Sequence, residues 1–315
     1  MIAIYKRIEA NNAFFGLICV LLATLGLSFK AILIKLVYAI DPGIDAISVL
    51  TLRFLFAVPF FILMLYFLRQ EQKSTTFRIE HIIVVAALGA VGFYLSAILD
   101  FSALAYIPAG LERLILFLYP TFVVIISLFV RPKEISVNKI VALLVSYVGI
   151  VVVFVGQAPN LNRNMIVGAS MVFCAAMVFA IYTVMSVKQI QQYGSIRFTG
   201  YAMIAATVAS VIHAFSIHGV SLFVQSEKVY VLIFLMAIVS TVLPLLLMAE
   251  GVKRIGASST SIISTSGPPV TLAIAVPILG ESFGMLQAIG SVLILVGVFF
   301  VSRAQRIRKK KKETG

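Results

Sequence analysis

At 315 residues the chain has the length of two ordinary soluble domains, yet 61% of its residues are hydrophobic, only 12% are charged, and its mean hydropathy is +1.10. So little charge cannot clothe a soluble surface, and the apolar residues run in long stretches without strand-like alternation, which leaves an all-α polytopic membrane protein. The formal net charge of +13 falls in loops and a terminal tail, not along a folded face, so lipid head groups and not nucleic acid are the expected partner.

A membrane span consumes about 20 apolar residues, and ten of them leave room only for short loops and two tails. The first apolar run, 14–37, follows Lys6 and Arg7 as the core of a signal peptide would. It continues to Tyr38 without a small-residue cleavage site, so it is predicted as a retained helix, carrying Lys30 and Lys35. The run 46–68 contains Arg53, and 80–100 contains Tyr94 and ends on Asp100. Next come 109–130, with Glu112, Arg113, Tyr119 and Pro120, and 138–156, with Tyr147. The second half offers 164–187, with Tyr182, then 197–216 and 229–250, then 256–279, with Ser264, Ser266, Pro268 and Pro269, and finally 283–302. Cys19 and Cys174 lie within apolar runs and read as small hydrophobes. His81, His213 and His218 sit at span ends without ligand spacing, so no metal site and no cofactor are expected.

The basic residues set the orientation. Lys6, Arg7, Arg69, Lys73, Arg78, Arg131, Lys133, Lys139, Lys188, Arg197, Lys253, Arg254 and the tail from Arg303 to Lys312 fall on one side of a ten-span layout. Only Arg163 and Lys228 fall on the other. This asymmetry predicts a multi-pass protein of the cytoplasmic (inner) membrane with both termini in the cytoplasm. The tail reads as a topology anchor drawn to anionic lipid. With no tryptophan, interfacial anchoring rests on tyrosines at span ends, among them Tyr38, Tyr66, Tyr106, Tyr193, Tyr201 and Tyr230. Tyr94, Tyr119, Tyr147 and Tyr182 lie deeper, where a phenol needs a partner or a water-filled cavity.

Sliding the chain against itself pairs Ile107 with Ile255, Ala109 with Ala257, Pro120 with Pro268 and Gly149 with Gly297, each pair 148 residues apart. A mid-span proline and a late-span glycine at one shift point to a duplication. The expected domains are a first five-helix repeat at 1–156, a second at 157–302 and a basic tail at 303–315. Five is odd, so the copies must have opposite topology, an inverted repeat of the kind secondary transporters use.

Several motifs carry a family resemblance. In the second half these are Pro244, Ile255-Gly256-Ala257-Ser258, Gly267-Pro268-Pro269, Pro277-Ile278-Leu279-Gly280-Glu281, and the glycines 290 and 297. The first half matches through Phe29 to Lys35, Arg53-Phe54, Tyr106-Ile107-Pro108-Ala109-Gly110, Tyr119-Pro120-Thr121 and Gly149. It departs at Arg131-Pro132-Lys133-Glu134. Nearly the whole chain thus resembles the EamA domain of the drug/metabolite transporter (DMT) superfamily, which implies export of a small metabolite such as an amino acid.

Six charged residues lie inside predicted spans: Lys30, Lys35, Arg53, Asp100, Glu112 and Arg113. Each would cost roughly 2.5–3.5 kcal/mol facing lipid at the bilayer centre. Together they predict a polar vestibule with a net positive charge, suited to an anionic group. Internal ion pairs and snorkelling remain an alternative for Lys35, Asp100 and Arg113, and a protonatable Glu112 is open to coupling transport to a proton or other ion. The expected solute-binding set is Lys30, Arg53, Tyr94, Glu112, Tyr119, Tyr182, Ser264 and Ser266. The hydroxyls of the second half either bind solute or satisfy carbonyls freed by Pro268 and Pro269. Pro120, Pro268 and Pro269 are expected to break their helices near the membrane centre.

The expected function is a secondary carrier, with no enzymatic activity, moving an amino acid or related organic solute outward by alternating access. A membrane-embedded enzyme is the rival from another class, but the chain shows no nucleotide-binding loop, no paired metal-ligand motif and no nucleophile with a histidine partner. A non-transporting sensor or assembly protein is the third reading.

Overall fold

A computed structural model describes residues 2–71, 79–130, 137–156, 162–264, 266–281 and 284–313. Thr265, the side chains of Ser258, Ser259 and Ser261, and those of the basic tail lie outside the described residues. The elements are α1 (Ile2–Ile40), α2 (Ala46–Glu71), α3 (Ile79–Gly89), α4 (Ser96–Ala103), α5 (Ala109–Leu116), α6 (Tyr119–Val130), α7 (Val137–Gly156), α8 (Arg163–Tyr193), α9 (Ser195–His218), α10 (Glu227–Ala237), α11 (Leu243–Ser264), α12 (Gly267–Leu279) and α13 (Met285–Glu313). No strand occurs among the described residues.

Seven helical segments among them are long and apolar enough to cross a membrane: Phe14–Ile40, Ala46–Phe67, His81–Ala103, Ala109–Ser127, Arg163–Tyr193, Ser195–Phe223 and Glu227–Gly256. They coincide with expected spans one to four and six to eight. The fifth expected span is α7, a helix of 20 residues. The ninth and tenth hold shorter apolar stretches, Gly267–Leu279 and Met285–Gly297. Outward-facing side chains such as Phe60, Ile62, Leu63, Ile83, Ile212 and Phe215 are exposed, as a lipid-facing surface requires.

The chain divides into two compact units. One comprises 33–133 and 161–238. In it α9 packs on α2 and α3, and α8 on α4, α5 and α6. A fully buried core of Val85, Phe198 and Ala202 surrounds Tyr182, whose ring fills the notch left by Gly92. A Cβ at Gly92 would collide with that ring, and one at Gly89 with the backbone of Ala202. Asn162 starts α8 by accepting the amide of Met165 at 2.8 Å, and Gly194, with φ of 82°, ends it.

The other unit comprises 1–32, 134–160 and 239–315. Its tightest seam joins α7 to α13, where Gly149 and Gly290 face each other. Small residues here let two backbones approach, the main means by which helices associate in lipid. Ser28 in α1 donates to the carbonyl of Thr24 at 2.8 Å and to that of Gly267, at the start of α12, at 3.2 Å. Arg254 pairs with Glu250 at 2.6 Å and lies 4.6 Å from the ring centre of Phe15.

Local backbone irregularities recur at the spacing seen in the sequence. The turns Ala90–Leu95 and Ile238–Val242 both wind as π-helix, and their first residues are 148 apart. Pro108 precedes α5 in an extended conformation; Gly256, 148 residues later, interrupts α11 with φ of 79°. A short helix then ends at Leu116 or Ser264, and a new one begins at Tyr119 or Gly267. Pro120 and Pro268 lie just after these interruptions. Lacking an N–H, each deprives the carbonyl four residues back, on Leu116 and Ser264, of its helical donor.

Candidate functional site

In the unit of 33–133 and 161–238, a polar cluster forms where the last turn of α1, the start of α2 and the ends of α4 and α9 meet. Tyr38 donates its hydroxyl to the carbonyl of Phe101 at 2.8 Å. Arg53 is buried, with its guanidinium 5.2 Å from the ring centre of Phe101 and 5.7 Å from that of Phe54. The charge of Asp100, itself 3% exposed, acts on both Arg53 and Tyr38. In a low-dielectric interior such a cation needs both the carboxylate and the ring faces to offset its lost hydration.

Asp45 adds a feature not foreseen from the sequence. One carboxylate oxygen caps α2 by accepting the Ser48 amide at 2.8 Å; the other lies 2.6 Å from Nε2 of His218 at the end of α9. An Asp three residues before Ser48, after Pro42-Gly43, is the signal that could have flagged the cap. Burial raises the Asp45 carboxyl pKa, but the hydrogen bonds from Ser48 and His218 outweigh it and hold the group below its usual 3.8. A depressed carboxyl stabilises the fold above its unfolded pKa, and that stability is lost as pH falls through the folded value. The melting temperature of Asp45→Asn should therefore lie below that of the parent at pH 6, with the gap closing as pH drops below about 4. A gap that stays constant to pH 3 rules out this linkage.

The remaining predicted residues have different surroundings. Tyr94 lies in the first π turn with its hydroxyl against Nδ1 of His213, so this deep phenol has its partner in a histidine on α9. His81 meets the Tyr193 hydroxyl, which also accepts from Gln192 at 3.1 Å. Among the described residues no three His, Cys, Asp or Glu side chains converge on a metal-sized site. Tyr182 packs among Phe93, Phe179 and Phe198.

Glu112 is fully buried in the first turn of α5, and the charge of its neighbour Arg113 acts on Tyr119, across the helix break. Tyr119 stands edge-on to Phe179 with ring centres 5.4 Å apart. Lys30 is half-buried in α1, in the other unit. There Ser264 donates to the carbonyl of Thr260 at 2.9 Å and Ser266 to that of Ile263 at 2.7 Å. Their hydroxyls serve backbone carbonyls beside the break, but not the Ser264 carbonyl that Pro268 deprives of its donor. Pro268 is buried and Pro269 exposed at the start of α12.

Comparison with known proteins agrees with this architecture. The profile of the EamA-like transporter family matches residues 14–155 and again 166–303. An uncharacterized transporter of Bacillus subtilis, YcbK, is 32% identical over 97% of both chains. A protein of Streptantibioticus cattleyicolor described as a probable terminal-alkyne amino-acid exporter is 23% identical, over 73% of this chain and 76% of its own. A crystal structure at 16% identity superposes with a TM-score of 0.60 over 94% of this chain and 98% of that one, which shows a shared fold. With the family profile matching both halves of an all-helical, multi-pass chain, this protein belongs to the EamA-like transporter family.

Proposed function

We propose that this protein is a secondary carrier that exports an amino acid or related organic solute across the cytoplasmic membrane by alternating access. The single observation that carries the reading is the paired interruption: α5 gives way to α6, and α11 to α12, at positions 148 residues apart, each beside a proline. Interrupted helices leave backbone groups unsatisfied at membrane depth, which is tolerated where they line a cavity and bind solute. The recurring π turns support a duplicated chain, and an odd number of spans per copy gives ten helices in two inverted repeats. The distribution of lysine and arginine supports cytoplasmic termini.

Glu112 and Tyr119 remain in the proposed binding set, with Glu112 also available to carry a coupling proton. The second-half hydroxyls Ser264 and Ser266 take the lesser role of supporting the hinge. The amino-acid class is supported by the description of the Streptantibioticus cattleyicolor relative as an amino-acid exporter.

The test is counterflow exchange. Purified protein in proteoliposomes, loaded with unlabelled solute and offered the labelled form, should accumulate label transiently above empty vesicles for amino acids but not for nucleosides. Folded protein that exchanges no amino acid on a complete panel overturns this reading.

A further inference from the structure

A polar pair near the middle of two apolar helices costs free energy in desolvation, and ionisable groups at such depth mark ion and solute pathways. Tyr94 stands two residues past the middle of the segment His81–Ala103. His213 stands four past the middle of Ser195–Phe223, about 6 Å along the regular helix α9. The Tyr94 hydroxyl meets Nδ1 of His213, with ring centres 6.0 Å apart and planes at 90°, so both groups lie at one depth. The sequence places His213 at a span end, but the helical segment continues to Phe223 and leaves it further in.

The turn itself does not demand this pair. The second π turn winds alike, yet Val242 stands 148 residues after Tyr94 and Leu65 stands 148 before His213, so neither polar partner recurs. Single π turns inside α-helices concentrate at functional positions, and Tyr94 belongs to the first of them. Both side chains are half-buried, so neither is sealed into a core.

The ring of His213 has Tyr94 as its one hydrogen-bond partner among the described residues. Of the helices packed on α9, α2 carries Arg53, in the field of Asp100, and α3 carries His81, bound to Tyr193 of α8. Elsewhere on α8, Arg163 and Lys188 lie toward the two ends and Tyr182 packs among phenylalanines. The turn Gly219–Phe223 carries no titratable side chain, and His218 at the end of α9 is paired with Asp45.

Histidine is the side chain whose ordinary titration falls between pH 5 and 8. In the neutral ring Nδ1 accepts the phenol O–H; once Nδ1 takes a proton it becomes a donor, and the same phenol oxygen accepts from it. By turning one hydroxyl hydrogen, Tyr94 satisfies the imidazole in both states. A site that loads and unloads a proton at membrane depth requires such a partner.

We propose that His213 is the proton-carrying site of the carrier, with Tyr94 as its positioning residue, so that a proton entering drives the solute out. An N–H bond forms at Nδ1 with a proton from the outer water, and the same bond breaks to release it to the cytoplasm; no electron is transferred. This gives the coupling proton to His213 and leaves Glu112 to the solute.

The inference rests on the transport reading above, and its test separates the two. Full-length protein is reconstituted in proteoliposomes with the membrane potential clamped. The amino acid that exchanges in counterflow is then followed with and without a lumen one pH unit more acidic than the medium. One proton per solute supports accumulation up to about ten-fold, because one pH unit is a factor of ten in proton activity. The quantity read is the ratio of uptake with the gradient to uptake without it, so a slow variant is still informative. This ratio should be several-fold above one in the parent and fall to one in His213→Asn, which keeps a hydrogen-bonding group but takes up no proton. Tyr94→Phe should keep a ratio above one and displace its dependence on pH. If His213→Asn does not fold, the double variant Tyr94→Phe with His213→Leu replaces both polar partners by apolar groups, a nearly neutral change for stability, and should also give a ratio of one.

Exchange with a ratio of one in the parent overturns this inference and leaves the transport reading standing, whereas no exchange at all overturns both. The inference equally fails if His213→Asn keeps the parent's ratio, or if it folds and exchanges nothing, since the residue then serves the solute. Tyr94→Phe with the parent's pH profile removes the part given to Tyr94.

Discussion

Replacing Arg53 by alanine is expected to destabilise the protein by about 3–5 kcal/mol, the usual cost of leaving one partner of a buried ion pair behind. The guanidinium is enclosed by Phe54 and Phe101 and sits in the field of Asp100, so truncation removes two ring contacts and strands a buried carboxylate beside an empty space. Adding Asp100→Asn to the alanine variant should recover part of the loss, because the stranded charge is then gone. Cys19 is a convenient reporter: its thiol is buried, and in a Cys174→Ser background a thiol-reactive dye follows its exposure on heating. Arg53→Ala that melts with the parent but no longer exchanges solute would return Arg53 to the solute-binding role that its position in the sequence suggests.

A comparable loss should follow valine substitution at the α7–α13 seam. A Cβ on Gly149 would lie 2.7 Å from the carbonyl oxygen of Gly290 and 2.8 Å from the amide nitrogen of Ile294. One on Gly290 would lie 2.6 Å from the carbonyl oxygen of Gly149. These neighbours are backbone atoms, which cannot rotate aside as a side chain can, so the helices must separate and forfeit their packing. Gly149→Val and Gly290→Val should each lose several kcal/mol, on the order of the larger overpacking costs known for cores. The double variant should show no mutual rescue, because both substitutions push the same two backbones apart. Expression and melting behaviour like the parent for either single variant would show that the seam is not a close crossing.

Much of the architecture was legible without coordinates because the bilayer imposes one rule on every residue. A spanning segment must satisfy its own backbone and present apolar side chains, so hydropathy alone marks helices such as Ala46–Phe67 and Arg163–Tyr193. The 148-residue spacing of these features was legible for a related reason. Pro120 and Pro268, or Gly149 and Gly297, act through the backbone, whose demands recur wherever the same turn is built. The π turns at Ala90–Leu95 and Ile238–Val242 were not foreseen, since one extra residue per turn leaves no mark in a uniformly apolar run.

The site was less legible, and the reason is physical. Sequence identifies which residues are costly in a membrane, but the cost is relieved by partners brought from distant positions. Arg53 and Asp100 come together from different helices; Asp45 and His218 meet across 173 positions of chain; Tyr94 finds His213. The sequence by itself determined that the chain is a multi-pass membrane protein and that backbone-acting residues such as Pro120 and Pro268 stand 148 positions apart, because these follow from solvent and residue type alone. Tertiary structure decided which polar groups are satisfied and which are left open, because hydrogen bonds and charge pairs depend on distances that only packing sets.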